Sequence, residues 1–308
     1  MIRHALILSA GWGTRLRPLT FFRPKALVPL GRKSLLEYWL SRLGALDRVF
    51  VNVHALAPFF SEYLKDIGIR YPSLKMLYES RILGSGGTIL KVCENLNNEW
   101  ILTVNVDSFL SSGIDDLIQR AMPDSPSICL FLKDEPAYNN VVVAPDGSVR
   151  SIRRRHLTQE EISKGFRVLA YVGVQIIHSE IITEYISNHA GDVLRRLRTD
   201  PFLDIMEVYN SMIQQNLLVR YFELTGGMWC DIGTIDSYMR LCLEVSGGSS
   251  FGKSVILEEG AVVKNSVVWD GVRVKAKSRI DTCIVTDGVV VNGNYYRQIL
   301  TPTGIWKF

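Results

Sequence analysis

An apolar run, Ala5 to Leu8, opens directly into Ser9-Ala10-Gly11-Trp12-Gly13-Thr14-Arg15-Leu16-Arg17-Pro18-Leu19-Thr20, with Pro24-Lys25 close behind. The run reads as a buried first strand, so the glycines fall at the end of a strand and the start of a turn. Glycines at 11 and 13 permit backbone angles closed to other residues and let consecutive N–H groups converge on phosphate oxygens without a Cβ in the way. Arg15 and Lys25 add full positive charge, one as a planar fork and one as a point charge. An ordinary Gly-rich turn with surface cations is the alternative reading. Two better-known glycine motifs are excluded. A dinucleotide fingerprint needs a third small residue where Leu16 stands, and a P-loop needs Gly-Lys-Ser/Thr opening the helix, which does not follow.

The longer pattern Gly11-x-Gly13-Thr14-Arg15-Leu16-x-Pro18-Leu19-Thr20, with Pro24-Lys25 and Pro29 downstream, resembles the signature of the sugar-1-phosphate nucleotidylyltransferases. Within the family it resembles mannose-1-phosphate guanylyltransferase-like members with a short C-terminal left-handed β-helix. That family joins an NTP to a sugar 1-phosphate and releases pyrophosphate. The resemblance implies that Arg15 and Lys25 are catalytic, binding and activating the reacting phosphates. It also places Ala10, Gly11, Gly13 and Thr14 against the nucleotide.

Composition agrees with an enzyme of this kind. At 308 residues two domains are expected, and 47% hydrophobic content suffices for a sizeable core. No apolar run approaches the ~18–20 residues that span a bilayer, and Met1-Ile2-Arg3-His4 enters a strand without a signal-peptide core. A cytoplasmic protein with no membrane contact is expected. Cys93, Cys129, Cys230, Cys242 and Cys283 are odd in number and scattered, which excludes a metal-thiolate or disulfide framework and predicts buried thiols. A net charge of +4, with Arg153-Arg154-Arg155-His156 its densest cluster, gives no nucleic-acid surface.

From residue 1 to 245 short β-branched runs alternate with helical patterns, which predicts an α/β, Rossmann-like, mainly parallel sheet flanked by helices. The predicted strands are Ala5–Leu8, Val49–Val53, Leu74–Tyr78, Ile101–Asn105, Ile128–Leu132 and Leu169–Ile177. Helical spacing covers Leu35–Leu43, Phe60–Leu64, Ile89–Cys93, Ile114–Ala121, Leu203–Gln214 and Ile235–Val245. Beyond the break Ser246-Gly247-Gly248-Ser249-Ser250, residues 250–308 change texture. Ile256, Val262, Val268, Val274 and Ile280 recur every six residues, and Asn265–Val274 resembles Thr282–Val291. This pattern predicts a short C-terminal left-handed β-helix of about two coils, with unrelated hairpins as the alternative. The coil is expected to pack on the core or to form a homo-oligomer, and not to carry catalysis.

Transfer at a phosphate requires neutralisation of the charge that builds on it. Asp107 follows a predicted strand, and Asp231 lies in Trp229-Cys230-Asp231-Ile232-Gly233-Thr234, similar to the family's Trp-x-Asp-Ile/Val-Gly-Thr. By that match both would ligate Mg²⁺, a hard cation suited to two carboxylates plus phosphates. Val106 stands where the family has glycine. Asp also suits caps and turns, and Thr234 is a plausible N-cap. Glu79-Ser80-Arg81-Ile82-Leu83-Gly84-Ser85-Gly86-Gly87 resembles the family's Glu-x-x-Pro-Leu-Gly-Thr-Ala-Gly, which puts Gly84 at the nucleotide and Glu79 opposite the base. A carboxylate could accept from both N1–H and N2–H₂ of guanine, which favours GTP over UTP or dTTP. For the sugar phosphate, Arg155 takes the place of a family lysine and Gly173 that of a glycine whose backbone approaches the sugar. Arg154 replaces a glutamate and can only donate. A mannose- or heptose-type sugar 1-phosphate is expected; uridylyl or thymidylyl transfer to another sugar, or a noncatalytic nucleotide-sugar sensor, are the alternatives.

Overall fold

The computed structural model describes residues 1–54, 63, 67–189 and 202–308. The opening apolar run forms the strand His4–Leu8, flanked in parallel by Arg48–Val53 and Trp100–Asn105. Its residues alternate between two cores. Ala5 and Ile7 enter one hydrophobic cluster and Leu6 the other, so the run is continuously apolar because both sheet faces are covered. Leu74–Tyr78 extends the parallel set beyond Arg48–Val53. On the other side the long strand Arg167–His178 runs antiparallel to Trp100–Asn105, Ile128–Lys133 and Val141–Val143, and Val219–Glu223 pairs in parallel with Ile128–Lys133. With Val149–Ile152 the sheet has nine strands. Among the described residues no helix is long and apolar enough to cross a membrane.

Each predicted strand is present within a few residues, as are the helices Leu35–Leu43, Ile114–Ala121, Ile205–Gln214 and Ile235–Ser246. Ser34 and Glu37 close a capping box on the first of these, and Thr234 caps the last through Ser237 N–H. The helix read from Ile89 begins earlier, at Gly84. The segment Phe60–Leu64 lies outside the described residues apart from Tyr63. All five cysteines are free and buried.

The tail forms a three-sided parallel coil in which residues pair with those 17 further on, Ser250 with Val267 and Val267 with Ile284, until the last coil shortens to 15, Ile284 with Ile299. This spacing corrects the strict six-residue count. Leu257 and Val263 pair with the buried Val274 and Ile280, whereas Ile256 pairs with Arg273 and is 46% exposed. One side of the triangle is a residue short, so the inward register slips by one. Two of the three faces carry three strands each, and the third carries four plus a closing antiparallel strand, Gly304–Lys307, so the stack is taller than two coils.

That third face is buried against the α/β unit. Val267, Trp269, Ile284 and Ile299 join the same hydrophobic cluster as Leu27, Leu30 and Tyr238. Trp269 Nε1 donates to Tyr238 Oη at 3.0 Å, and Tyr238 Oη donates to the Pro29 carbonyl at 2.6 Å. Tyr238→Phe leaves two buried polar partners behind and should cost about 1–3 kcal/mol. Urea unfolding at constant m is the measurement; an unchanged midpoint would remove the relay from the account of docking.

Candidate functional site

The chain leaves Leu8 at the C-terminal end of the sheet and is tied at once to its neighbour. Ser9 N–H donates to Asn52 Oδ1 at 2.6 Å, and the Ser9 hydroxyl donates to the Asn52 carbonyl. Gly13 then takes φ +60° to cap the one-turn helix Thr14–Leu16. A Cβ there would meet Thr20 Cγ2 at 2.9 Å and Lys25 Cβ at 3.2 Å, so glycine is required twice over. Gly11 differs from expectation. Its φ is not positive and a Cβ would meet nothing within 4 Å, so its glycine leaves room above the turn and relieves no strain.

This turn walls a cleft of about 180 Å³ whose lining includes Gly11, Gly13, Thr14, Arg15, Lys25 and Asp107. Val106 and Gly233 complete one side. The cleft is brought together by distant pairings. Val106 N–H donates to the Leu8 carbonyl at 3.0 Å, which sets Asp107 beside the turn, and Ile232 N–H donates to the Asp107 carbonyl at 2.8 Å. Trp229–Asp231 pairs antiparallel with Ser108–Leu110, with Asp231 opposite Ser108. Lys25 Nζ donates to the Asp107 carboxylate. A Cβ built on Gly233 would lie 2.6 Å from Asp231 Oδ2 and 3.0 Å from both terminal nitrogens of Arg15, so those groups converge on the same glycine. Burial, and then the charge of Asp107, hold the Asp231 carboxyl above its ordinary value; Lys25 and Arg15 pull it partly back. Two cations and the Asp107 carboxylate thus share one small volume, and the Asp231 carboxylate adjoins it at Gly233 without lining it.

Other expected residues stand elsewhere. Ala10 is buried behind the turn at 7% exposure. Glu79 is buried and its oxygens are already engaged: Oε1 accepts from Asn52 Nδ2 at 2.9 Å and Thr88 Oγ1 at 2.5 Å, and Oε2 from Leu83 N–H at 3.2 Å. It does not offer two free acceptors to a base, so it is not placed to pair with both guanine donors. Gly84 is set against the Leu203 backbone, where a Cβ would collide with the carbonyl oxygen, and it does not line the cleft. Arg155 is exposed and outside the cleft lining, while Arg154 is paired with Glu161 and Arg153 with Asp204. Gly173 lies in an irregularity of its strand, against Asn105 and Ser108, close to the carboxylates.

Three supporting residues were given no role by the sequence. Asn52 links Ser9 to Glu79. Trp229 Nε1 donates to Ser108 Oγ at 3.0 Å and to the Val172 carbonyl at 3.1 Å, which fixes the Asp231 strand to the Gly173 irregularity. Trp12, 57% exposed, meets His54 edge-on at 5.3 Å; an aromatic among small residues was the available signal.

Residues 4–246 match the nucleotidyl transferase family. The chain belongs to that family. Among its relatives, the N-acetylmuramate alpha-1-phosphate uridylyltransferase of Caulobacter vibrioides is 29% identical over 195 residues, covering 58% of this chain and 77% of its own length. The mannose-1-phosphate guanylyltransferase of Mycobacterium tuberculosis is 22% identical over 93% of this chain and 80% of its own. The crystal structure of HddC from Yersinia pseudotuberculosis complexed with GMP-PN shares the fold, with a TM-score of 0.59 at 18% identity over 79% of this chain and all of that one.

Proposed function

We propose that the chain transfers a nucleotidyl group from an NTP to a sugar 1-phosphate and releases pyrophosphate. The observation that carries this reading is the convergence of the Gly13 turn, Arg15, Lys25 and Asp107 on one cleft at the end of the sheet, with Asp231 meeting Arg15 at Gly233 on its edge. Gly11, Gly13 and Thr14 present backbone and hydroxyl groups to the triphosphate. Arg15, which forms no ion pair among the described residues, and Lys25 screen the charge that develops on the α-phosphate and the departing pyrophosphate. The sugar phosphate is itself the nucleophile, already ionised, so positioning in line and charge screening suffice. A nucleotide-binding unit over 1–245 and a supporting coil over 250–308 are part of the proposal.

Asp107 and Asp231 fit a hard divalent cation such as Mg²⁺. They supply two oxygen-donor side chains close enough for the charge of one to raise the other, and the described residues hold no larger His/Cys/Asp/Glu group that would complete a protein-only cage. The remaining positions are left to water and phosphate, as Mg²⁺ favours. Such an ion would supply charge neutralisation at the phosphates.

For the base GTP is the nucleotide to try first and UTP its competitor, since a guanylyltransferase relative spans 93% of the chain and a uridylyltransferase relative 90% of it. Gly173, beside the carboxylates, is the place where the sugar phosphate meets backbone, and a mannose- or heptose-type sugar is the substrate to try first. A second copy would add at the free edge of Gly304–Lys307, where Ile305 and Trp306 are exposed; light scattering tests it. The deciding assay follows pyrophosphate release with Mg²⁺, each NTP and a panel of sugar 1-phosphates. Turnover with GTP well above UTP and dTTP is expected. Faster UTP turnover would replace the base but keep the reaction, and nucleotide-sugar binding without turnover on any pair would make the chain a sensor.

A further inference from the structure

The repeated Asp-Gly of the coil, Asp270-Gly271 and Asp287-Gly288, does more than turn corners. Asp270 Oδ1 accepts from Lys253 N–H at 2.6 Å and Asp287 Oδ1 from Asp270 N–H at 3.1 Å, which serves the coil. The same two carboxylates also face out of the coil and close on a single guanidinium. Arg23 Nε donates to Asp287 Oδ2 at 2.6 Å, and Nη2 donates to Asp287 Oδ1 at 2.7 Å and to Asp270 Oδ2 at 2.8 Å. Nη1 reaches back to the Leu27 carbonyl at 3.3 Å, and the guanidinium lies 5.5 Å from the Trp269 ring centre. A bidentate fork of this kind fixes direction as well as distance.

What Arg23 fixes is the segment that bears Lys25. Leu27 N–H donates to the Pro24 carbonyl at 2.8 Å, so Lys25–Leu27 is a single tight turn held at its start by the neighbouring Arg23 and at its end by the Nη1 contact. Lys25 points from that turn onto Asp107. One coil below the two aspartates the equivalent position is Lys253, whose Nζ lies 3.9 Å from Glu37 Oε2. The coil therefore meets the α/β unit with a Lys, Asp, Asp ladder of charge complementary to Glu37 and Arg23.

We infer that Arg23 is a positioning residue through which Asp270 and Asp287 of the coil hold Lys25 in place for nucleotidyl transfer, an inference that rests on the function proposed above. The tail is then part of the machinery at one remove, touching no substrate.

The test compares Arg23→Gln with the double variant Asp270→Asn/Asp287→Asn, in which the amide keeps an acceptor for the coil N–H groups but loses the charge. In hydrogen-exchange mass spectrometry, the peptide covering 13–27 should exchange at least about tenfold faster in both variants, with the central strand 100–105 and the melting temperature close to wild type. kcat should fall about ten- to hundredfold, as for a catalytic group displaced by roughly an ångström, with little change in KM for the sugar 1-phosphate. Combining all three substitutions should add nothing to either set, and Arg23→Lys should recover part of the rate. Unchanged exchange in 13–27, or a rate loss that is additive or only follows a lower melting temperature, overturns the inference. If the wild-type chain turns over no substrate pair, the proposed function has failed, and the exchange measurement still decides whether the clamp orders the turn.

Discussion

Asp107→Asn and Asp231→Asn should each lower kcat at least about 10²-fold, the scale of removing one electrostatic stabiliser, without disturbing the fold. The amide keeps the volume and one acceptor but loses the charge that a hard cation needs. Stability should move the other way at position 231. Its carboxyl sits above the ordinary 3.8 because of burial and Asp107, so the folded chain holds that proton more tightly than the unfolded chain does. The charged form is then a cost to folding, fully present above the folded pKa and fading as pH falls toward the ordinary value. Asp231→Asn should accordingly melt at or above the wild-type temperature at pH 7, and this margin should shrink in acid. Near-normal turnover of both variants at saturating Mg²⁺ would remove the metal assignment, and a destabilised Asp231→Asn at neutral pH would contradict the electrostatic account.

Lys25→Met should be as damaging, at about 10²–10³-fold in kcat, because it removes a cation from the phosphates and also strips Asp107 of its partner. Two carboxylates then face one another with only Arg15 nearby, which should shift the acid limb of the pH–rate profile upward. Arg15→Lys should be milder, since charge survives and only the planar fork is lost. Steady-state rates across pH at fixed Mg²⁺ separate the two. A Lys25→Met enzyme with wild-type kcat and an unmoved acid limb would remove Lys25 from both roles, whereas a moved limb at wild-type kcat would leave it as a tether for Asp107.

Much of this was legible in the residues. The strand at 5–8 is apolar throughout and those near 49–53 and 101–105 are mostly so, with Asn52 and Thr103 the buried polar residues among them, and the Gly13 turn announces itself by the company of Arg15, Lys25 and Pro18. Val141–Val143 and Val149–Ile152 are too short to carry a period, and the sheet picks them up only because Arg167–His178 offers an edge. Asp107 and Asp231 were found singly, but their meeting depends on the antiparallel pairing of Ser108 with Asp231, which no local spacing encodes. Glu79 shows the limit in the other direction. A carboxylate in a familiar motif looks like a ligand for substrate until Asn52 and Thr88 arrive from elsewhere and occupy it. The coil was visible as a repeat, and Arg23 was not, because a lone arginine between Phe22 and Pro24 carries no pattern of its own.

The contact between Arg23 and Asp287 spans 264 positions of chain. During synthesis the phosphate-binding turn leaves the ribosome early, whereas the carboxylates that steady it follow after roughly 10–50 s at ordinary elongation rates. Over that interval the nascent sheet can already assemble around His4–Leu8, yet Lys25 has no anchor behind it. A chain released before those carboxylates would carry the whole signature and still turn over about ten- to hundredfold more slowly. Full rate would then arrive only with Asp270 and Asp287, so the coil acts as a completeness check on the turn.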